Sequence, residues 1–171
     1  SNIVKIKKED NYYKYYVNNR YLTKTDYEPF YGDRIGYVVY ADQEIAVDYL
    51  KVYKLKSSNN NKNTITNKKL SLPLLDDFNG NTNGWNLEDS DSYSVAIANR
   101  KLLLHRKKKG GIFISRDVTI NTSKDFIIET AISKLTSSTD GLYGITFGRK
   151  NSSNEYSFLL SGNGSYMYRK F

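Results

Sequence analysis

The sequence contains no cysteine. That excludes a disulfide framework and any cysteine-ligated metal, so a chain of this kind outside the cell is held by packing, with at most a hard metal ion to help. Histidine occurs once, at His105, beside Arg106-Lys107-Lys108-Lys109. A lone histidine in a basic run reads as an exposed hairpin residue and leaves no Ser-His-Asp set to build. No stretch approaches 18 apolar residues, so nothing in it spans a membrane as a helix. No basic segment followed by an apolar one opens the chain, which reads as a mature chain, a fragment or an export product. No phosphate-cradling loop is present, and Gly162-Asn163-Gly164 reads as a turn. Leucine-rich helical patterning is also missing.

What is present is tyrosine: 16 in 171 residues, 11 of them within the first 53 and alternating with polar residues. Tyrosine suits a half-buried pleated surface, so this favours sheet over helix. The net charge is +8. Residues 1–56 carry 10 basic and 8 acidic side chains, residues 57–73 three lysines, and residues 74–171 13 basic and 10 acidic. The excess is spread along the chain, and 106–109 is its one dense run. A nucleic-acid footprint clusters on one face, so no nucleic-acid partner is expected.

Alternation marks strands at Ile3–Ile6, Tyr12–Val17, Tyr21–Tyr27, Arg34–Tyr40 and Glu44–Tyr53. Asn18-Asn19-Arg20 is a hairpin turn of the kind that needs positive φ. In the last of these strands Ile45, Val47 and Tyr49 share one phase. Leu50 and Val52 break it, which predicts a bulge or a change of face. Residues 55–73 are a polar, asparagine- and serine-rich linker with no core face. Further strands are expected at 93–98, 101–106, 111–119, 125–134, 141–149, 154–160 and 165–171. Turns fall at Asn99-Arg100, Gly110-Gly111 and Asp140-Gly141. About twelve short strands with regular turns predict an all-β sandwich or barrel. A short helix fits only after Thr119 or near Asn86.

Two sets of residues carry a resemblance. Asp76-Asp77-Phe78, Asn83-Gly84-Trp85, Asp125–Glu129, Tyr143–Gly148 and Tyr156–Ser161 resemble the N-terminal part of concanavalin A-like jelly-roll domains. Such domains, akin to laminin G modules and laminarinases, occur in secreted multidomain proteins of Bacteroidota. Tyr15–Asn19, Glu28–Gly32, Ile35-Gly36-Tyr37 and Val47–Tyr53 resemble the C-terminal part. The halves therefore stand in permuted order: residues 1–54 as the C-terminal half, 55–73 as linker, 74–171 as the N-terminal half. The resemblance implies a jelly-roll β-sandwich that either closes on itself or is completed by a neighbouring chain. In the second case, exchange of halves gives a head-to-tail filament or ring. The seam between halves is expected at Ile3, Ile6, Val47, Tyr49, Tyr166 and Tyr168. The chain is also readable as a piece of a tandem array.

The resemblance implies one further site. Related sandwiches place a structural calcium where the ends of the domain meet, and Asp48, Asp76 and Asp77 match those positions. Calcium takes several hard oxygens; the alternative is that Asp48 accepts backbone hydrogen bonds or pairs with a basic residue. No other cofactor is implied. Laminarinases carry an acidic triplet, Glu-x-Asp-x-x-Glu. Here Asp125 and Glu129 have i,i+4 spacing, Ile127 occupies the middle, and a solvent-side polar pair is the simpler reading. Trp85 is expected in the core. The tyrosines are numerous enough to line a sugar-binding face.

The function expected from the sequence is an extracellular or cell-surface structural or adhesive module, not an enzyme, which self-associates by strand complementation between halves. The alternative is a lectin-like carbohydrate-binding module with a glycan partner. A laminarinase-like glycoside hydrolase ranks third.

Overall fold

A computed structural model describes residues 1–55, 71–136 and 141–171. Fourteen strands follow one another: β1 (Asn2–Glu9), β2 (Tyr12–Val17), β3 (Arg20–Asp26), β4 (Arg34–Tyr40), β5 (Gln43–Lys54), β6 (Ser71–Asp76), β7 (Glu88–Asp89), β8 (Tyr93–Ala98), β9 (Lys101–Arg106), β10 (Gly111–Asp117), β11 (Phe126–Lys134), β12 (Leu142–Asn151), β13 (Asn154–Ser161) and β14 (Tyr166–Lys170). The fold is all-β, as expected. Among the described residues there is no helix, either after Thr119 or near Asn86. The turns behave as their residues require: Asn18 and Asn19 have φ of 51° and 63°, and Asn99 and Arg100 of 51° and 59°. Paired positive φ closes a two-residue hairpin whose twist matches its strands.

Two antiparallel sheets pack as a sandwich. The larger has nine strands in the order β3-β2-β1-β11-β5-β9-β8-β7, with β6 also on β5. The smaller has five, β10-β4-β12-β13-β14. Strand β5 is long enough to hold two neighbours along one edge. Gln43–Val47 pair with β9, and Leu50–Lys54 pair with β6. The register with β11 shifts between Ala131, opposite Tyr49, and Ile132, opposite Val47. Asp48 is thus the extra residue of a bulge, which resets the side-chain phase. Ile45 and Val47 are buried before it, Leu50 and Val52 after it, and Tyr49 is turned outward.

The two parts of the sequence interleave within one chain. Strand β11 sits between β1 and β5, and β4 sits between β10 and β12. The core between the sheets is aromatic. Tyr15 stacks on Phe158 with ring centroids 5.1 Å apart, and Tyr13 meets Phe147 at 5.8 Å. Trp85 is buried against Phe78 and Tyr37, as expected. Burying an aromatic ring is among the largest single contributions a side chain makes to a core, about 1.5–3 kcal/mol for a ring of phenylalanine size.

Strand β6 begins at Ser71, inside the stretch expected to be linker; most of that stretch lies outside the described residues, as does Asp140. His105 lies mid-strand in β9, opposite Glu44 and Ser94, and is half-buried rather than at a hairpin tip.

Candidate functional site

Two hairpin turns and the start of β1 converge at one end of the sandwich. The β2–β3 turn brings Val17, Asn18, Arg20, Tyr21 and Leu22; β1 begins there with Asn2; and the β13–β14 turn brings Leu160, Ser161, Gly164, Ser165 and Tyr166. Between them lies a groove of about 630 Å³, within the size range of small-molecule and oligosaccharide sites. Its lining includes the apolar Val17, Leu22 and Leu160 and the tyrosines Tyr21 and Tyr166, which are 50% and 43% exposed. Tyr21 is held edge-on against Tyr16 at 5.6 Å, and Tyr166 rests on Phe158 at 5.8 Å, so each ring is fixed by a neighbour.

The polar rim is partly spent on the turns. Asn18 Oδ1 accepts from the Ile3 amide at 2.9 Å, and Asn18 Nδ2 donates to Asn2 Oδ1 at 3.1 Å. Ser161 Oγ donates to Asn163 Oδ1, which also accepts from the Ser165 amide at 2.9 Å. Arg20 has no carboxylate partner among the described residues and stands exposed on the rim. The lining thus combines apolar side chains and two exposed tyrosines with amide, hydroxyl and guanidinium groups.

The expected seam residues divide. Ile6 is buried opposite Ile128, and Val47 is buried between Ile132 and Leu102; both join the two parts of the sequence. Ile3 opposes Ala131, and Tyr49 opposes the same residue on the other edge of β11, both with side chains turned away from the core. Tyr166 and Tyr168 pair by backbone with Leu160 and Phe158 of β13. Strand β14 is therefore not joined to β1, which lies in the other sheet. Tyr168 still crosses the seam through its ring, 5.4 Å from that of Tyr15.

The three aspartates matched to a calcium site each have another partner. Asp48 pairs with the Lys101 ammonium. Asp76 accepts from the Trp85 indole at 2.7 Å and from the Phe78 amide at 3.1 Å. Asp77 pairs with Arg100 at 3.0 Å and accepts from the Asn79 amide at 3.3 Å; these donors hold its carboxyl below the usual range. Among the described residues no three histidine or carboxylate side chains converge as a metal site would need.

Asp125 and Glu129 are also taken. Lys8 holds Asp125 at 3.1 Å, while Glu129 pairs with Lys5 at 3.2 Å and accepts from the Tyr49 hydroxyl at 3.1 Å. On the five-stranded sheet the carboxylates are Asp117 and Glu155. Glu155 is buried and bound to Arg149 at 2.5 Å; burial raises its carboxyl above the ordinary value while the guanidinium opposes the shift. Asp117 pairs with Arg34 at 3.2 Å. Strands β10 and β13 are three places apart, roughly 14 Å at the usual strand spacing. Glycosidase carboxylates lie about 5–9.5 Å apart.

No protein-family model matches this chain, and no curated protein matches it.

Proposed function

We propose that the protein is a non-enzymatic, lectin-like module of the cell exterior that binds a neutral glycan in the groove between Tyr21 and Tyr166. The observation that carries this reading is that two exposed tyrosines, apolar side chains and amide, hydroxyl and guanidinium groups line one groove. Sugars present apolar C–H faces to rings and hydroxyls to amides, so such a slot answers both. The concanavalin A-like resemblance supports it, since glycan binding is among the activities that fold hosts. The separation of Asp117 from Glu155, and the lysines on Asp125 and Glu129, favour binding over hydrolysis.

The test is calorimetric titration of the full chain with a panel of soluble neutral glucans. Saturable binding is expected, with Tyr21→Ala and Tyr166→Ala each weakening it about tenfold, equivalent to about 1.4 kcal/mol. Absence of binding to every neutral glycan, or binding untouched by both variants, overturns the reading.

An assembling, adhesive module is the second reading. Strands β3 and β14 are the ends of their sheets, and β14 exposes Tyr166 and Met167, with Phe171 just beyond it. An open strand edge with apolar side chains is a template for pairing with another chain. Arg169 and Lys170 on the same edge oppose it by charge, and the interleaving of strands completes the core without a neighbour. Light scattering over a concentration series separates the two: a constant monomer mass favours the lectin, open-ended growth the assembly.

A further inference from the structure

The outer face of the nine-stranded sheet has a charge pattern that the groove does not use. Alternate residues of its strands point away from the core and line up in cross-strand ladders. In one ladder Lys24, Lys14 and Lys7 stand directly opposite one another on β3, β2 and β1. In the next, Lys5 and Lys51 flank Glu129 on β1, β5 and β11. Like charges directly opposite in a sheet are destabilising, and here the relief is partial. Glu9 takes both Lys7 and Lys14 at 2.6 Å, and Glu129 takes Lys5. Among the described residues Lys24 and Lys51 have no carboxylate partner. Their ammonium groups lie over the rings of Tyr12 and Tyr49, 3.6 and 4.1 Å from the centroids. The other acids of this sheet are spread along it: Asp26 opposes Tyr12, Glu44 opposes His105, and Asp125, Asp48 and Asp89 pair with Lys8, Lys101 and Lys107.

We propose that this face binds an acidic polysaccharide, a chain with a carboxylate on each sugar. Neighbouring strands are about 4.8 Å apart, close to the length of one pyranose residue. A polyuronate laid across β3, β2 and β1 therefore meets an ammonium at each strand, and its carboxylates relieve the repulsion the ladder carries. A single-stranded nucleic acid stacks its bases on open aromatic faces; the Tyr12 and Tyr49 rings lie under lysines, and the exposed Tyr21 beside Tyr16 makes an oligonucleotide the competitor to test. The face adjoins the neutral-glycan groove at Tyr21, which shares the Lys5 ladder through Tyr16, while the Lys24, Lys14 and Lys7 ladder lies outside the groove.

The experiment is calorimetric titration of the full chain with polygalacturonate at about 50 mM and about 200 mM salt, since a contact made by charge weakens with salt. Saturable binding is expected at low salt and weaker binding at high salt. The double variant K24Q/K51Q breaks no ion pair among the described residues and removes two surface cation–π contacts, so it should stay folded with a slightly lower melting temperature. It should bind polygalacturonate about tenfold more weakly, with a shallower salt dependence. The groove variant Tyr166→Ala, whose residue belongs to the other sheet, should bind it as the parent does, which separates failure here from failure of the groove. No binding at low salt, equal binding by K24Q/K51Q, loss in the groove variant, or tighter binding of a single-stranded oligonucleotide of matched charge would each overturn the proposal.

Discussion

The hydroxyl of Tyr37 and Oγ1 of Thr130 meet at 2.9 Å in the buried centre of the sandwich. Thr130 gives its own proton to the Tyr49 carbonyl at 2.7 Å, so Tyr37 is the donor in this pair. Tyr37 belongs to the five-stranded sheet and to the first part of the sequence; Thr130 belongs to the nine-stranded sheet and to the second. One hydrogen bond thus ties both sheets and both sequence parts. Burial drives the Tyr37 phenol far above its ordinary pKa, so it stays a donor. Tyr37→Phe should cost about 1 kcal/mol in urea denaturation. Thr130→Val, which strands the Tyr37 hydroxyl and the Tyr49 carbonyl, should cost about 2 kcal/mol or more.

Asp76 is a buried carboxylate whose two oxygens are satisfied by the Trp85 indole and the Phe78 amide. Trp85→Phe keeps most of the ring packing and removes the indole donor. It should destabilise by about 2–3 kcal/mol, since a hydrogen bond to a buried charge is lost. An Asp76→Asn, Trp85→Phe double variant should recover part of that loss, because no charge is then left without its donor; a double-mutant cycle in denaturant measures the coupling.

Glu9 provides a pH signature. Lys14 and Lys7 hold its carboxyl at about 2, against an ordinary 4.5. The folded value is depressed, so the stabilisation is fully present above the unfolded value and is lost as pH falls through about 2. The parent should lose stability between those limits faster than Glu9→Gln, whose curve should be flatter there. Denaturant midpoints across that range decide it, and identical slopes would exclude the contribution.

Calcium at millimolar concentration should leave the melting temperature unchanged. A ligand stabilises only by binding the native state. The carboxylates of Asp48, Asp76 and Asp77 are bound instead by Lys101, by Trp85 and Phe78, and by Arg100. A rise in melting temperature with calcium, absent in Asp48→Asn, would restore the metal site.

A protease site placed between residues 56 and 70 should yield two fragments that stay together. Strand β11 is bonded on both edges by strands of the first part, and β4 on both edges by strands of the second. The fragments should co-elute at the parent mass without denaturant and separate in it. Separation under native conditions would show that the interleaved pairing does not hold.

The strands were legible because alternation of Tyr, Val and Ile with polar residues has a period of two and needs no tertiary information. The turn at Asn18-Asn19 was legible because few residues other than glycine and asparagine accept paired positive φ. The bulge at Asp48 showed as a phase break between Val47 and Leu50. The faces of single residues were less secure: Ile3 and Tyr49 turn outward, and Val4 and Ile6 turn in. The groove was not legible. Tyr21 and Tyr166 come from distant hairpins in different sheets, and nothing local in either marks the two as lining one groove.

The sequence alone determined that the chain is all-β, where its hairpins turn, and that no thiol takes part, because these follow from backbone preference, periodicity and composition. Only the tertiary structure decided that β11 enters between β1 and β5, that β14 lies in the opposite sheet from β1, and that each candidate calcium aspartate has a different partner. Strand edges carry the same backbone groups whatever their side chains. Which edges meet is therefore set by the whole core that must be buried, not by any one segment.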